Sequence, residues 1–202
     1  MRGNPSHSRS DRSLFPRILL ALAATLLLSC ETATPDKIIV DRVPTWRTPS
    51  DTREIKVKDL VDYIQLHHPG VKIRWSDKVY ERVSYEWLKE YMHWTWNAHW
   101  QAGVEYTAES FDCEEFSLSF YLHAARAASE AGQKTSPLIG RMVVRLDHPF
   151  SGVEAAPGKT HELVVVATDR GPFVVEPQTH SPHRLVALDK YPNPILSIVF
   201  GD

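Results

Sequence analysis

The sequence has few cysteines, little net charge and no long apolar run. Two cysteines in 202 residues exclude a disulfide-rich scaffold. A formal net charge of −2 without a basic run gives no reason to expect nucleic acid as a partner. No glycine-rich nucleotide-binding pattern is present either. What remains, 43% hydrophobic and 24% charged residues, is the balance of a globular domain with extensions.

The N-terminal stretch predicts export and lipid attachment. Several arginines, the last of them Arg17, precede an uncharged run over 18–28, which is too short to cross a bilayer comfortably. Ser29-Cys30 follows this run and resembles a bacterial lipobox, in which the cysteine becomes the lipidated N-terminus. We therefore expect Cys30 to carry lipid and the protein to lie in the bacterial cell envelope, facing the periplasm. A plain cleavable signal or an uncleaved anchor is the alternative.

Three segments follow from this interpretation. Residues 1–29 are the predicted signal peptide, and residues 30–56 are a predicted flexible tether because they are rich in Thr, Pro, Asp and Arg. The domain itself is predicted over 57–202, and its elements follow from hydrophobic periodicity. The predicted helices cover 57–67, 77–100 and 113–131, and the predicted strands cover 138–146, 161–168, 172–176 and 195–200. Helices followed by strands predict an α+β fold with helices packed on an antiparallel sheet.

The third predicted helix begins at a cysteine. Asp112 can serve as its N-cap, and Glu115 three residues later completes a capping box. Leu118, Tyr121, Leu122, Ala125 and Ala128 would then supply its apolar stripe. A cysteine in the first turn meets free backbone N–H groups and the positive end of the helix dipole, which favour the thiolate. Neighbouring acids oppose this, so a base must help. A buried, unreactive cysteine is the structural alternative.

A histidine and a carboxylate are predicted to meet beside this cysteine. A two-residue turn at Asp169-Arg170 would pair Thr168 with Gly171, which places Glu176 opposite residue 163 and one diagonal step from His161. A register one residue different would separate them. Cys113, His161 and Glu176 then supply a nucleophile, a base and an orienting acid. His148 is the alternative base.

The motif Asp112-Cys113-Glu114-Glu115-Phe116, followed by a long helix, a Val-rich strand and His161 opening another strand, resembles the bacterial transglutaminase-like cysteine peptidases. The resemblance covers about residues 106–178 and implies a transglutaminase-like, papain-like core. It also implies that Asp112 and Glu114 help to bind calcium, although the catalytic scheme itself requires no cofactor.

The resulting functional hypothesis is cysteine-dependent acyl transfer, most simply a peptidase or deamidase. Its substrate would be a protein or peptide of the cell envelope, and its contact with the membrane would be the N-terminal lipid. Two alternatives remain. One is a catalytically inactive lipoprotein that acts as a binding or assembly module, and the other is an amidase of cell-wall peptides.

Overall fold

The computed structural model describes residues 42–47, 49, 54–101, 103, 112–178 and 185–201. No helix in these ranges is long and apolar enough to cross a membrane. Cys30 and the predicted signal peptide lie outside the described residues, and so does most of the predicted tether. The described elements, in chain order, are β1 (Glu54–Lys56), α1 (Val57–His67), β2 (Lys72–Trp75), β3 (Val79–Glu81), α2 (Tyr85–Gln101), α3 (Cys113–Glu130), β4 (Ile139–Arg145), β5 (Thr160–Thr168), β6 (Gly171–Val175), β7 (Val186–Ala187), a 3-10 turn (Leu188–Lys190) and β8 (Ile195–Phe200).

Six of the strands form one mixed sheet in the order β2-β8-β4-β5-β6-β7. Strand β2 lies parallel to β8, whereas the other neighbours are antiparallel. The predicted purely antiparallel sheet was therefore wrong at this edge. A parallel neighbour needs a long crossover connection, and β2 and β8 are joined by nearly the whole domain. Strand β2 was not predicted because its four residues, Lys72 to Trp75, carry two basic side chains.

Both faces of the sheet are covered by apolar side chains. Along β5, Leu163 and Val165 belong to one buried cluster, whereas Val164 and Val166 belong to the other. Helix α1 packs in the first cluster, and helices α2 and α3 pack in the second. A strand with two buried faces has a continuous apolar sequence, which explains the Val-rich run of β5. The sheet therefore holds the start of β5 in a fixed position.

Helix α2 begins later than the sequence predicts. Residues Val79–Glu81 form a strand that pairs with β1. The backbone N–H of Val83 then donates to the carbonyl of Ala167 at 2.9 Å, which keeps the chain extended up to the helix. Val79 and Val83 are four residues apart, as on one face of a helix, but tertiary pairing outweighs this spacing here. The helix itself buries Trp87, Leu88, Tyr91 and Met92 in the core.

The buried face of α3 differs from the predicted one. Leu118 and Leu122 are 40% and 53% exposed, whereas Phe116 and Phe120 are buried. Both sets have helical spacing, so periodicity alone did not distinguish them. The second face continues with alanines at 124, 127 and 128, and these small side chains let the helix approach the sheet closely. The predicted apolar stripe was thus wrong at Leu118 and Leu122, whereas its member Ala128 is buried.

Candidate functional site

The candidate site begins at the N-terminus of α3. The side chain of Asp112 accepts a hydrogen bond from the backbone N–H of Glu114 at 2.9 Å. In return, Oε2 of Glu115 accepts from the backbone N–H of Asp112 at 3.0 Å. The predicted capping box is confirmed. It starts the helix at Cys113, whose side chain is partly exposed.

The hairpin between β5 and β6 has the predicted register. Thr168 pairs with Gly171, and Val164 pairs with Val175. The next residue after β6 is Glu176, which therefore lies across from the beginning of β5. A turn of Asp169 and Arg170 fixes this register, and the register brings the carboxylate beside His161.

His161 and Glu176 form a short, buried ion pair. Nε2 of His161 lies 2.6 Å from Oε2 of Glu176. His161 is 8% exposed and Glu176 is 1% exposed, so water competes little for this contact. The second oxygen, Oε1 of Glu176, accepts from the backbone N–H of Gln178 at 2.8 Å. Both carboxylate oxygens are therefore engaged, which fixes the orientation of the imidazole.

The third group, Cys113, is a hydrogen-bond partner of the same imidazole. Burial alone would lower the pKa of His161, but hydrogen bonds to Cys113 and Glu176 and the negative charge of both outweigh it. The net effect raises the pKa of His161 to about 9. The structure thus brings Cys113, His161 and Glu176 together, as the sequence predicts.

The arrangement of Cys113, His161 and Glu176 favours a nucleophilic sulfur. A protonated imidazole beside a thiol stabilises the thiolate, which is the nucleophilic form of cysteine. The buried carboxylate holds the ring in place and stabilises its positive charge. Cys113 is partly exposed, so a ligand can reach the sulfur from solvent. The group is therefore suited to contact a ligand through a nucleophilic atom.

The alternative base lies in a different environment. His148 is exposed in the turn after β4, and its backbone N–H donates to Oδ1 of Asn193 at 2.6 Å. The side chain of Asn193 also donates to the carbonyl of His148 at 2.9 Å. Asn193 therefore anchors the turn through the backbone of His148, and the imidazole of His148 takes no part in these two hydrogen bonds. The hydrogen bonds of the site involve His161 instead.

Sequence reasoning missed a second carboxylate beside the site. Burial raises the pKa of Glu162 to about 7, and the charges of Glu114 and Asp112 add to this. Arg141, whose Nη1 lies 3.5 Å from Oε1 of Glu162, acts in the opposite direction. The signal in the sequence was an acid inside a valine-rich strand, next to the predicted base.

The implied calcium site is not supported by the arrangement of the acids. Asp112 uses one carboxylate oxygen to cap α3, and Glu162 faces Arg141. Across the described ranges, no group of three or more His, Cys, Asp or Glu side chains is arranged to hold a metal ion. The pair Asp112 and Glu114 alone offers too few ligands for calcium, which prefers six to eight oxygens. We therefore derive no step through a metal ion.

Comparison with known proteins gives structural matches only. No family model matches the chain, and no curated protein matches its sequence. One matching structure is described as a PSL1a–E64 complex, with 17% identity and a TM-score of 0.53, over 74% of this chain and 52% of that chain. Another is the lectin of Polyporus squamosus bound to the human-type influenza-binding epitope Neu5Aca2-6Galb1-4GlcNAc, with 14% identity and a TM-score of 0.54, over 74% of this chain and 50% of that one. At these identities the likeness shows the fold alone, and the chain spans about half the length of the structures it matches.

These matches correct the family assignment. The resemblance to transglutaminase-like cysteine peptidases was wrong, and so was the transglutaminase-like, papain-like core, because the structures that share the fold are those of a lectin. The motif misled for a physical reason. Asp112 and Glu115 are accounted for by helix capping, which any helix can require at its start. The predicted peptidase or deamidase is corrected with the family.

Proposed function

We propose that this domain is a ligand-binding module whose ligand contacts the partly exposed thiol of Cys113 at the start of α3. The observation that carries the proposal is the 2.6 Å contact between Nε2 of His161 and Oε2 of Glu176. The side chain of Cys113 is hydrogen-bonded to the same ring. A buried polar group of this kind costs stability unless it is fully satisfied. Its presence at a partly exposed thiol supports a role in contacting a ligand.

The electrostatics around Cys113 and His161 support a ligand held by both charge and hydrogen bonds. The imidazole of His161 stays cationic at neutral pH because its pKa is raised to about 9 by Cys113 and Glu176, against the effect of burial. A cationic ring and a polarisable sulfur then lie side by side. Such a pair binds an acceptor group of a ligand, and an epoxide would alkylate the sulfur as one of its C–O bonds opens and the freed oxygen takes a proton from the ring of His161.

The matching structures give independent support for binding by this fold. One is described as a complex with E64, and the other as a lectin bound to a trisaccharide. We extend from them only the general role of holding a partner. That the partner lies in the bacterial cell envelope, and that the chain reaches it through an N-terminal lipid, are predictions from the sequence.

The proposal is tested by covalent trapping. The folded protein is incubated with E64, an epoxide that alkylates thiolates, and the intact mass is measured. We expect one adduct on the wild type, none on Cys113→Ala, and at least about tenfold slower labelling of His161→Gln. Cys113 is the free cysteine of the described part of the chain, so digestion followed by peptide mass analysis separates its adduct from any on Cys30.

Two results would overturn the proposal. If Cys113 is labelled only after unfolding, no ligand reaches its sulfur in the folded protein. If peptides from cell-envelope extract acquire new ends with the wild type but not with Cys113→Ala, the site turns its ligand over, and a purely binding role is excluded.

A further inference from the structure

Helix α3 covers only part of one sheet face. The helix packs on β4 and β5, whereas β8 and β2 continue the sheet beyond it. One row of directly opposite residues crosses these strands and consists of Arg74, Val199, Arg141 and Val164. Opposite residues share a face of the sheet, and Val164 lies in the apolar cluster that contains α3. Val199 is half-buried and Arg74 is exposed, so the face is open to solvent over β8 and β2.

The exposed side of α3 forms a wall beside these open strands. Leu118 and Tyr121 line a shallow depression together with Arg141 and Val199. Leu122 is one helical turn after Leu118 and therefore on the same side of the helix. The two leucines are 40% and 53% exposed. We call the surface between α3 and β2 the open groove; its apolar side is the two leucines, and exposed apolar groups beside a depression are typical of an interaction site.

Helix α3 runs along the strands of the open groove. Its first turn lies near Glu162, because the charge of Glu114 contributes to the raised pKa of that residue. Glu162 is in the same cross-strand row as Lys72. Leu118 lies at the next row on this face, which is the row of Arg74. The leucines of α3 and the cations of β2 therefore form two lines that run in the same direction on opposite sides of the groove.

The spacing of the two lines fits an extended polypeptide. Lys72 and Arg74 are two residues apart on a strand, which separates them by about 7 Å. Leu118 and Leu122 are four residues apart on a helix, which separates them by about 6 Å along its axis. An extended chain turns alternate side chains to opposite sides and repeats each side about every 7 Å. A chain in the groove would thus present one set of side chains to the cations and the other to the leucines.

The charge of β2 favours an acidic occupant. Among the described residues, neither Lys72 nor Arg74 forms an ion pair, whereas Arg141 lies 3.5 Å from Glu162. The two cations also disfavour a second copy of this chain. Antiparallel pairing of β2 with another β2, with the sheet faces matched, would set Lys72 of one copy opposite Arg74 of the other. Like charges directly opposite are destabilising.

From these observations we propose that the open groove binds an extended polypeptide segment in which acidic and apolar residues alternate. The carboxylates of this segment pair with Lys72 and Arg74, and its apolar side chains pack on Leu118, Leu122 and Val199. The groove is a separate surface from the partly exposed thiol, so this binding requires no chemistry at the thiol.

The experiment measures the fluorescence anisotropy of a labelled six-residue peptide of alternating glutamate and leucine, titrated with the full chain. We expect saturable binding, and each of four variants should weaken it about three- to tenfold: Lys72→Gln, Arg74→Gln, Leu118→Gln and Leu122→Gln. Lys58→Gln and Leu66→Gln are the matched controls. They change an exposed cation and an exposed leucine of α1, which packs on the other sheet face, and should leave binding unchanged.

Two further peptides test the charge and the alternation. A peptide of alternating lysine and leucine, and one of three glutamates followed by three leucines, should each bind at least about tenfold more weakly. Equal binding by either peptide, full binding by the four variants, or no binding of the first peptide below about 1 mM would overturn the proposal.

A last comparison separates this proposal from its alternatives. Tighter binding of single-stranded DNA than of the acidic peptide would show a general polyanion surface and would also overturn the proposal. Cys113→Ala should bind the peptide as the wild type does. A failure of peptide binding would therefore leave the thiol-directed proposal untouched, and a failure of thiol labelling would leave this one untouched.

Discussion

Oε2 of Glu176 lies 2.6 Å from Nε2 of His161, with the two residues 15 positions apart in the chain. The hairpin register creates this contact, because Thr168 pairs with Gly171 and the following residues are brought into line. Both side chains are buried, so each has too little contact with water to be charged without the other. The charge state of His161 therefore depends on Glu176. The titration of His161 is consequently the first property to measure.

The imidazole of His161 should titrate far above the ordinary range of histidine. Its hydrogen bonds to Cys113 and Glu176 outweigh burial and raise its pKa to about 9. We expect the Cε1–H signal of His161 in proton NMR to move between about pH 8 and 10, and Glu176→Gln to shift this transition to lower pH. Loss of the Cys113 partner in Cys113→Ala should act in the same direction. A wild-type midpoint near 6.5 would contradict this account.

Removal of the carboxylate should destabilise the protein in a pH-dependent way. The folded-state pKa of His161 lies above its unfolded value, so its contribution is fully present below about pH 6.5 and is lost as the pH rises through about 9. Glu176→Ala leaves a buried cation unpaired and should cost roughly 3–5 kcal/mol at pH 6. The cost should be smaller at pH 9.5, where the ring is neutral. Urea unfolding at the two pH values measures the difference.

A matched variant controls for the cavity that this substitution leaves. Glu176→Gln keeps the volume and an acceptor but removes the charge, so it isolates the electrostatic part. An equal loss for Glu176→Ala at both pH values would show that packing, and not the charge of His161, accounts for the effect.

The contribution of Glu162 to stability should change with pH in the same direction as that of His161, but over a lower pH range. Burial, aided by Glu114 and Asp112, raises its pKa to about 7, so the folded state holds the proton more tightly than the unfolded chain does. Its contribution to stability is present below about pH 4.5 and is lost as the pH rises through about 7. Glu162→Gln removes this penalty and should raise the free energy of unfolding at pH 8 by roughly 1–3 kcal/mol.

The control for this variant is the same measurement at pH 4.5. There Glu162 is already protonated in the folded protein, so the glutamine should change stability little. A gain of equal size at both pH values would mean that the substitution acts through packing or through Arg141 instead.

The sequence predicted local geometry better than it predicted sheet edges or relatives. The capping box at Asp112 and the turn at Asp169-Arg170 depend on a few neighbouring residues, and both were predicted. The parallel pairing of β2 with β8 depends on residues more than a hundred positions apart, and it was not. Short-range chemistry is visible in a single sequence, whereas long-range pairing is decided by the packing of the whole domain.

The candidate site, too, was predicted correctly only where short-range rules apply. Cys113, His161 and Glu176 were placed together by a capping signal and a hairpin register, both local rules. The family was wrong because the acids around the cysteine also satisfy the helix N-terminus, whatever the function. The packing of residues 42–47 against α2 was not predicted, because the sequence indicates a tether there and the contact between Pro44 and Trp87 crosses more than forty positions.

Which face of helix α3 is buried can be tested with two substitutions to alanine. Phe120 is 1% exposed and contacts Tyr91 edge to face at 4.8 Å, so Phe120→Ala opens a cavity in the core and should cost roughly 3–5 kcal/mol. Leu122 is 53% exposed, and alanine is an even better helix former than leucine, so Leu122→Ala should change stability by less than about 0.5 kcal/mol. Chemical unfolding of both variants measures this contrast directly. The stripe predicted from sequence demands the reverse order, with Leu122 the costly position. Equal costs at the two positions would instead require that α3 buries both faces, which its exposed leucines contradict.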